Sequence, residues 1–165
     1  MKFFIPFGDY FDDGHGKYET VLVEAPSMEH LLNAQIKIKE KYGKYFFSSF
    51  ANDYGEPYIG EKVWQALIDT NYPIERFHET QDDIKWDKCN SIAEVIALAK
   101  SEDVESEDFE YNNIFLTLET VEDAFIWLLN AYGAEIKMCE EHEKIPTICN
   151  WTCPGFEDVG YGCFY

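Results

Sequence analysis

The chain has 165 residues, the size of one domain, with 46% apolar and 17% aromatic side chains. A chain of that length can bury roughly 70% of its unfolded surface, so a folded core is expected despite the acidity. The net charge of −19 argues against direct binding to DNA, RNA or an anionic membrane, all of which need lysine and arginine.

The start, Met1-Lys2-Phe3-Phe4-Ile5-Pro6, is too short an apolar run for a signal peptide and has no small-residue cleavage site behind it. No window approaches 18 apolar residues. Five cysteines is an odd number, and without an export signal a reducing compartment is expected. Together these point to a cytoplasmic protein.

Residues 3–7 and 17–25 read as strands, the second from its alternation and its β-branched content. The nine residues between them carry the glycines and aspartates of a turn, which predicts a long-tipped hairpin. The tip, Asp9-x2-Asp12-Asp13-Gly14, lacks the alternating ligands and closing glutamate of a calcium loop, and polar turn chemistry accounts for it.

Ser27 is placed to cap a helix that Gly43 stops, with Leu31, Leu32, Gln35, Ile38 and Tyr42 on its inner face. Residues 45–59 are aromatic and irregular. Glu61–Asp69 is a second helix, with Val63, Trp64, Leu67 and Ile68 inward and Asn71-Tyr72-Pro73 ending it. Residues 74–90 show no period. Ser91 and Glu94 then form a capping box ahead of Ile92, Val95, Ile96 and Ala99, in a helix expected to end near Ser101.

Beyond it the charge becomes one-sided. Residues 1–100 hold 17 acids against 11 bases, and residues 101–165 hold 15 against 2. Between Lys100 and Lys137 there are ten carboxylates and no base. The same span predicts a strand over 111–119 and a helix opened by Thr120 with Asp123 and closed by Gly133. Val121, Ala124, Phe125, Leu128 and Tyr132 form that helix's inner stripe, which Ile126, Trp127 and Leu129 widen beyond the usual ~100°. Such a helix is either covered on two sides or turned toward a partner.

A last short strand is expected over 134–138. The remainder, 139–165, is an irregular tail rich in cysteine, glycine and aromatics, expected to pack on the same domain. There is no repeat and no linker-like segment, so the expected architecture is a single α+β domain over 1–165, with a small mixed or antiparallel sheet and about four helices.

Cys139-x2-His142-x6-Cys149-x3-Cys153 supplies four ligands that could close a tetrahedral zinc site and hold the tail folded. Buried reduced thiols explain the same residues, since the spacing is not the usual paired one and Glu140, Glu141 and Glu143 interrupt it. No resident cofactor is expected beyond that zinc. Asp82-Asp83-Ile84-Lys85 has the acid-x-Lys spacing of a nuclease strand, but its flanks are too polar for a buried strand. No Gly-x-Ser-x-Gly elbow and no phosphate-cradling loop occurs, so a non-enzymatic role is expected.

The acidic segment has a bland reading as a solvated loop. Its continuity with apolar elements that also carry acids supports a sharper one: carboxylates held at fixed spacing as a substitute for phosphates. Duplex DNA carries one charge per ~1.7 Å of axis, so nineteen net charges match about 30 Å of duplex if they line one face. In charge, length and lack of catalytic motifs the chain resembles the acidic antirestriction and anti-CRISPR proteins of phages and mobile elements, although no motif carries that likeness. It implies an inhibitor that occupies the basic groove of a nucleic-acid-binding protein. Glu102, Asp103, Glu105, Glu107, Asp108, Glu110, Glu119, Glu122 and Asp123 would replace phosphates, and Tyr111 and Trp127 would add apolar contact. Two alternatives stay open. One is an immunity-type inhibitor of a basic partner that does not compete with nucleic acid. The other is a small-molecule or nucleotide site lined by Tyr45, Phe46, Phe47, Phe50, Tyr54, Tyr58 and Trp64, residues that also suit a core.

Overall fold

The computed structural model describes residues 2–7, 19–53, 56–102, 114 and 116–139, and it is an α+β structure. Strand β2, Glu19–Glu24, lies at the centre of a three-stranded antiparallel sheet. On one side it pairs with β1, Lys2–Phe7, in the register Phe3 to Val23 and Ile5 to Val21. On the other it pairs with β5, Lys137–Met138. The predicted hairpin and last strand are therefore present, although the tip itself lies outside the described residues. Val21 and Val23 are buried while Glu24 is exposed, the alternation a half-buried sheet requires.

Helix α1, Met28–Tyr42, begins and ends as predicted. The Ser27 hydroxyl accepts the His30 N–H, and Gly43 at φ 107° gives its own N–H to the Lys39 carbonyl. Leu31, Ala34, Gln35 and Ile38 are buried at 3- and 4-residue spacing, whereas Leu32 and Tyr42 are half-buried.

The irregular aromatic stretch contains structure that its pattern hid. A 3-10 turn, Phe46–Ser49, leads into an antiparallel hairpin of β3, Phe50–Asp53, and β4, Glu56–Ile59. Helix α2, Glu61–Asp69, has the predicted bounds. Helix α3, Ile74–Thr80, was not expected. It has two turns and one buried residue, Phe77, which packs edge-to-face on Trp64 and Trp86, so tertiary packing holds it where propensity alone would not. Helix α4, Ile92–Glu102, starts at the predicted capping box. Ser91 Oγ accepts the Glu94 N–H, and the Glu94 carboxylate accepts the Asn90 N–H.

Helix α5, Leu118–Ala131, corrects two expectations. It opens three residues earlier than predicted, with Thr117 rather than Thr120 as the cap. It thereby takes the end of the segment expected to be a strand. Among the described residues of that segment, Ile114 and Leu116 are buried without strand pairing, and Leu116 N–H makes one backbone bond to Pro57 O in β4. The broad apolar stripe of α5 is covered by α1, α2, α3 and β4. Phe125 at its centre meets Phe50 and Phe47 at ring distances of 5.2 and 6.0 Å, the aromatic heart of the core. Gly133 at φ 96° ends the helix. The Asn130 side chain then clasps Ile136 through both its N–H and its carbonyl and turns the chain into β5.

Candidate partner-binding surface

The start of α5 is fastened to the end of α3 by a ladder of short polar side chains. Thr117 N–H donates to Gln81 Oε1 at 2.7 Å, and Thr117 Oγ1 donates to the Thr80 carbonyl at 2.7 Å. Thr120 Oγ1 donates to Thr80 Oγ1 at 2.9 Å, whose own hydroxyl donates to the Arg76 carbonyl at 2.8 Å. Gln81 and Thr120 are buried, the Thr117 hydroxyl bond is exposed and the others are part-buried, and together they tie the two helices to each other.

Acids stand next to the ladder residues in sequence on both helices. Glu119, in the first turn of α5, Glu79 near the end of α3, and Asp82, Asp83 and Asp87 beyond it are all exposed. No ion pair joins Glu79, Asp82, Asp87 or Glu119 to another described residue. The helix start adds partial positive charge that favours Glu119 where it stands. Glu79 of α3 and Glu119 of α5 are thus exposed next to residues of the ladder that joins the two helices.

One turn further along α5 the chemistry changes. Asp123 accepts from the Tyr72 hydroxyl and from two guanidinium nitrogens of Arg76, with Nε at 2.9 Å. Arg76 is the only arginine in the chain, and it is committed to this two-point pair. Its guanidinium lies 5.3 Å from the Trp127 ring centroid, Trp127 Nε1 donates to Thr70 Oγ1 at 3.0 Å, and Tyr72 meets Trp127 edge-to-face. Burial, with help from the bond to Asp123, raises the Tyr72 pKa above its usual range; the same carboxylate's hydrogen bond raises that of Arg76. Asp123 and Trp127 thus join α3 to α5 within the protein.

Among the other predicted contact residues, Glu122 is half-buried in α5, and Glu102 is the last residue of α4. Asp103, Glu105, Glu107, Asp108, Glu110 and Tyr111 lie outside the described residues, as do His142, Cys149 and Cys153 of the candidate zinc set. Cys139 is half-buried after β5, where its N–H donates to Leu22 O at 3.0 Å. Among the described residues no three His, Cys, Asp or Glu side chains converge on a common point. No described helix is long and apolar enough to cross a membrane.

The aromatics considered for a small-molecule site divide sharply. Phe46, Phe47, Phe50 and Trp64 are buried in the core, Tyr58 is half-buried and Tyr45 is exposed, while Tyr54 lies outside the described residues. A groove lined by Leu67, Asn71, Pro73, Asn90 and Ser91 includes none of the seven.

Sequence reasoning missed the turn after α3. Ile84–Trp86 is a 3-10 turn rather than an acid-x-Lys strand, with Lys85 laid over the Trp86 ring at 4.8 Å. Ile84, between Asp83 and Lys85, is 86% exposed. The only signal was an isoleucine isolated among charges, which periodicity does not register. No protein-family model, curated protein or solved structure matches the chain.

Proposed function

We propose that the protein is a non-enzymatic acidic binding protein that docks on the basic groove of a nucleic-acid-handling protein and displaces its nucleic acid, as an inhibitor of the anti-defence kind. The observation that carries this reading is the exposed set Glu79, Asp82, Asp87 and Glu119, without an ion pair among the described residues, in and after the helices that the ladder joins, in a chain of net charge −19. Carboxylates substitute for phosphates only if their spacing survives mutual repulsion, and the hydrogen-bonded ladder that joins α3 to α5 supports such spacing for Glu79 and Glu119. In sequence, the acids of 102–110 follow directly on α4 and carry the same sign of charge.

Such docking is fast, steered by long-range attraction, and weakens as salt rises. The test is to capture the partner from the native host and titrate the complex with duplex DNA and with RNA. Displacement by either supports competition at a nucleic-acid groove. A ternary complex that keeps all three components replaces the reading with an inhibitor that does not compete with nucleic acid.

A further inference from the structure

The turn that follows α3 exposes an apolar side chain on a backbone tied by local hydrogen bonds. Gln81 N–H donates to the Phe77 carbonyl, Asp83 N–H to the Gln81 carbonyl, and Trp86 N–H to the Asp83 carbonyl at 3.0 Å. The Asp83 side chain accepts the Lys85 N–H, and Asp87 N–H returns to the Ile84 carbonyl. The two flanking anchors, Gln81 and Trp86, are buried, and His78 Nε2 donates to the Trp86 carbonyl from below at 3.1 Å. Ile84 stands between these anchors at 86% exposure.

A single exposed isoleucine is ordinary on a protein surface. This one differs in being fixed from both sides and flanked by Glu79, Asp82, Asp83 and Asp87, against Lys88 and a Lys85 already stacked on Trp86. We infer that Ile84 is the apolar anchor of the acidic docking surface, and that its partner is a protein surface with an apolar socket rimmed by lysine or arginine. Charge complementarity selects the rim, and the isoleucine selects the socket. Because the turn is already ordered, binding forfeits little conformational freedom there, the circumstance in which one central residue dominates an interface. This inference rests on the acidic docking reading and adds the contact that bare charge does not provide.

The test uses the full chain and two synthetic peptides with equal numbers of lysines at matched spacing, one with glycine between them and one with leucine. At physiological salt the leucine peptide is expected to bind at least tenfold more tightly, about 1.4 kcal/mol. Ile84→Ser, which leaves the charge unchanged, is expected to remove that advantage and leave the glycine peptide's affinity as it was. Ile36→Ser at another exposed isoleucine serves as the control and should preserve the advantage. If both peptides bind equally, or Ile84→Ser changes nothing, the anchor is refuted while the acidic surface stands. If neither peptide binds, the acidic reading and the anchor fall together.

Discussion

Arg76 grips Asp123 across the α3–α5 interface with two guanidinium nitrogens, and the Tyr72 hydroxyl completes the carboxylate's shell. Tyr72 is almost fully buried, so removing Asp123 leaves its hydroxyl without an acceptor. Asp123→Ala is expected to cost about 1–3 kcal/mol. In a domain of this size each kcal/mol lowers the melting temperature by about 2–4 °C. Asp123→Ala combined with Tyr72→Phe should cost less than the sum of the two, because the orphaned hydroxyl is gone. Thermal unfolding of the four proteins in the cycle measures that coupling.

The same hydroxyl sets a limit at alkaline pH. Burial raises the Tyr72 and Tyr42 pKa values, with hydrogen bonds to Asp123 and Tyr132 respectively adding to the effect. In the unfolded chain both ionise near 10. Above that pH the unfolded state holds fewer protons than the folded one, so stability falls as pH rises past about 10 and is unaffected by these groups below it. Tyrosinate absorbance should therefore rise together with unfolding for this pair. Tyr72→Phe should make the decline in stability shallower by up to one proton, ~1.36 kcal/mol per pH unit.

How much of this could be read from the sequence depended on whether one residue type determines one geometry. Ser27, Gly43 and the Ser91–Glu94 box act locally, within one turn of backbone, and they mark the helix ends where expected. Thr117 and Thr120 are chemically identical candidates for one cap. Bonds to Thr80 and Gln81, some 40 positions away, settle which serves, and no local pattern contains them. Helix α3 and the β3–β4 hairpin were hidden for the same reason, being held by the aromatic core more than by their own periodicity. For the candidate surface, the acidic content was plain in the sequence. That Asp123 pairs inward while Glu119, four residues before it, has no ion pair among the described residues required the position of Arg76.

The ladder that joins α3 to α5 makes a separate prediction. Thr117→Ala removes the α5 cap and the bond to the Thr80 carbonyl, and should cost about 1–2 kcal/mol. Thr117→Ser keeps the hydroxyl and should recover most of that loss. Denaturant unfolding of both variants checks the order. If the two are equally destabilised, the hydroxyl is not what fastens the helices.

Cys89 is buried, and desolvation, with Glu94 nearby, raises its thiol pKa. A thiol held in its protonated form and out of contact with solvent reacts slowly. Timed alkylation followed by peptide mass mapping should find Cys89 unmodified in the native protein and modified at the rate of unfolding. Rapid labelling under native conditions would contradict its placement between the turn and α4.

Competition for the partner captured from the host tests directly whether the protein occupies a nucleic-acid groove. Native protein and a variant carrying Glu79→Gln, Asp82→Asn and Glu119→Gln are each titrated against the partner loaded with labelled duplex DNA or RNA. Native protein is expected to release the label, less effectively as salt rises, while the variant folds normally and releases it at least tenfold less well. Label that stays bound while the native protein also binds, or a variant that competes as well as native, would contradict that expectation.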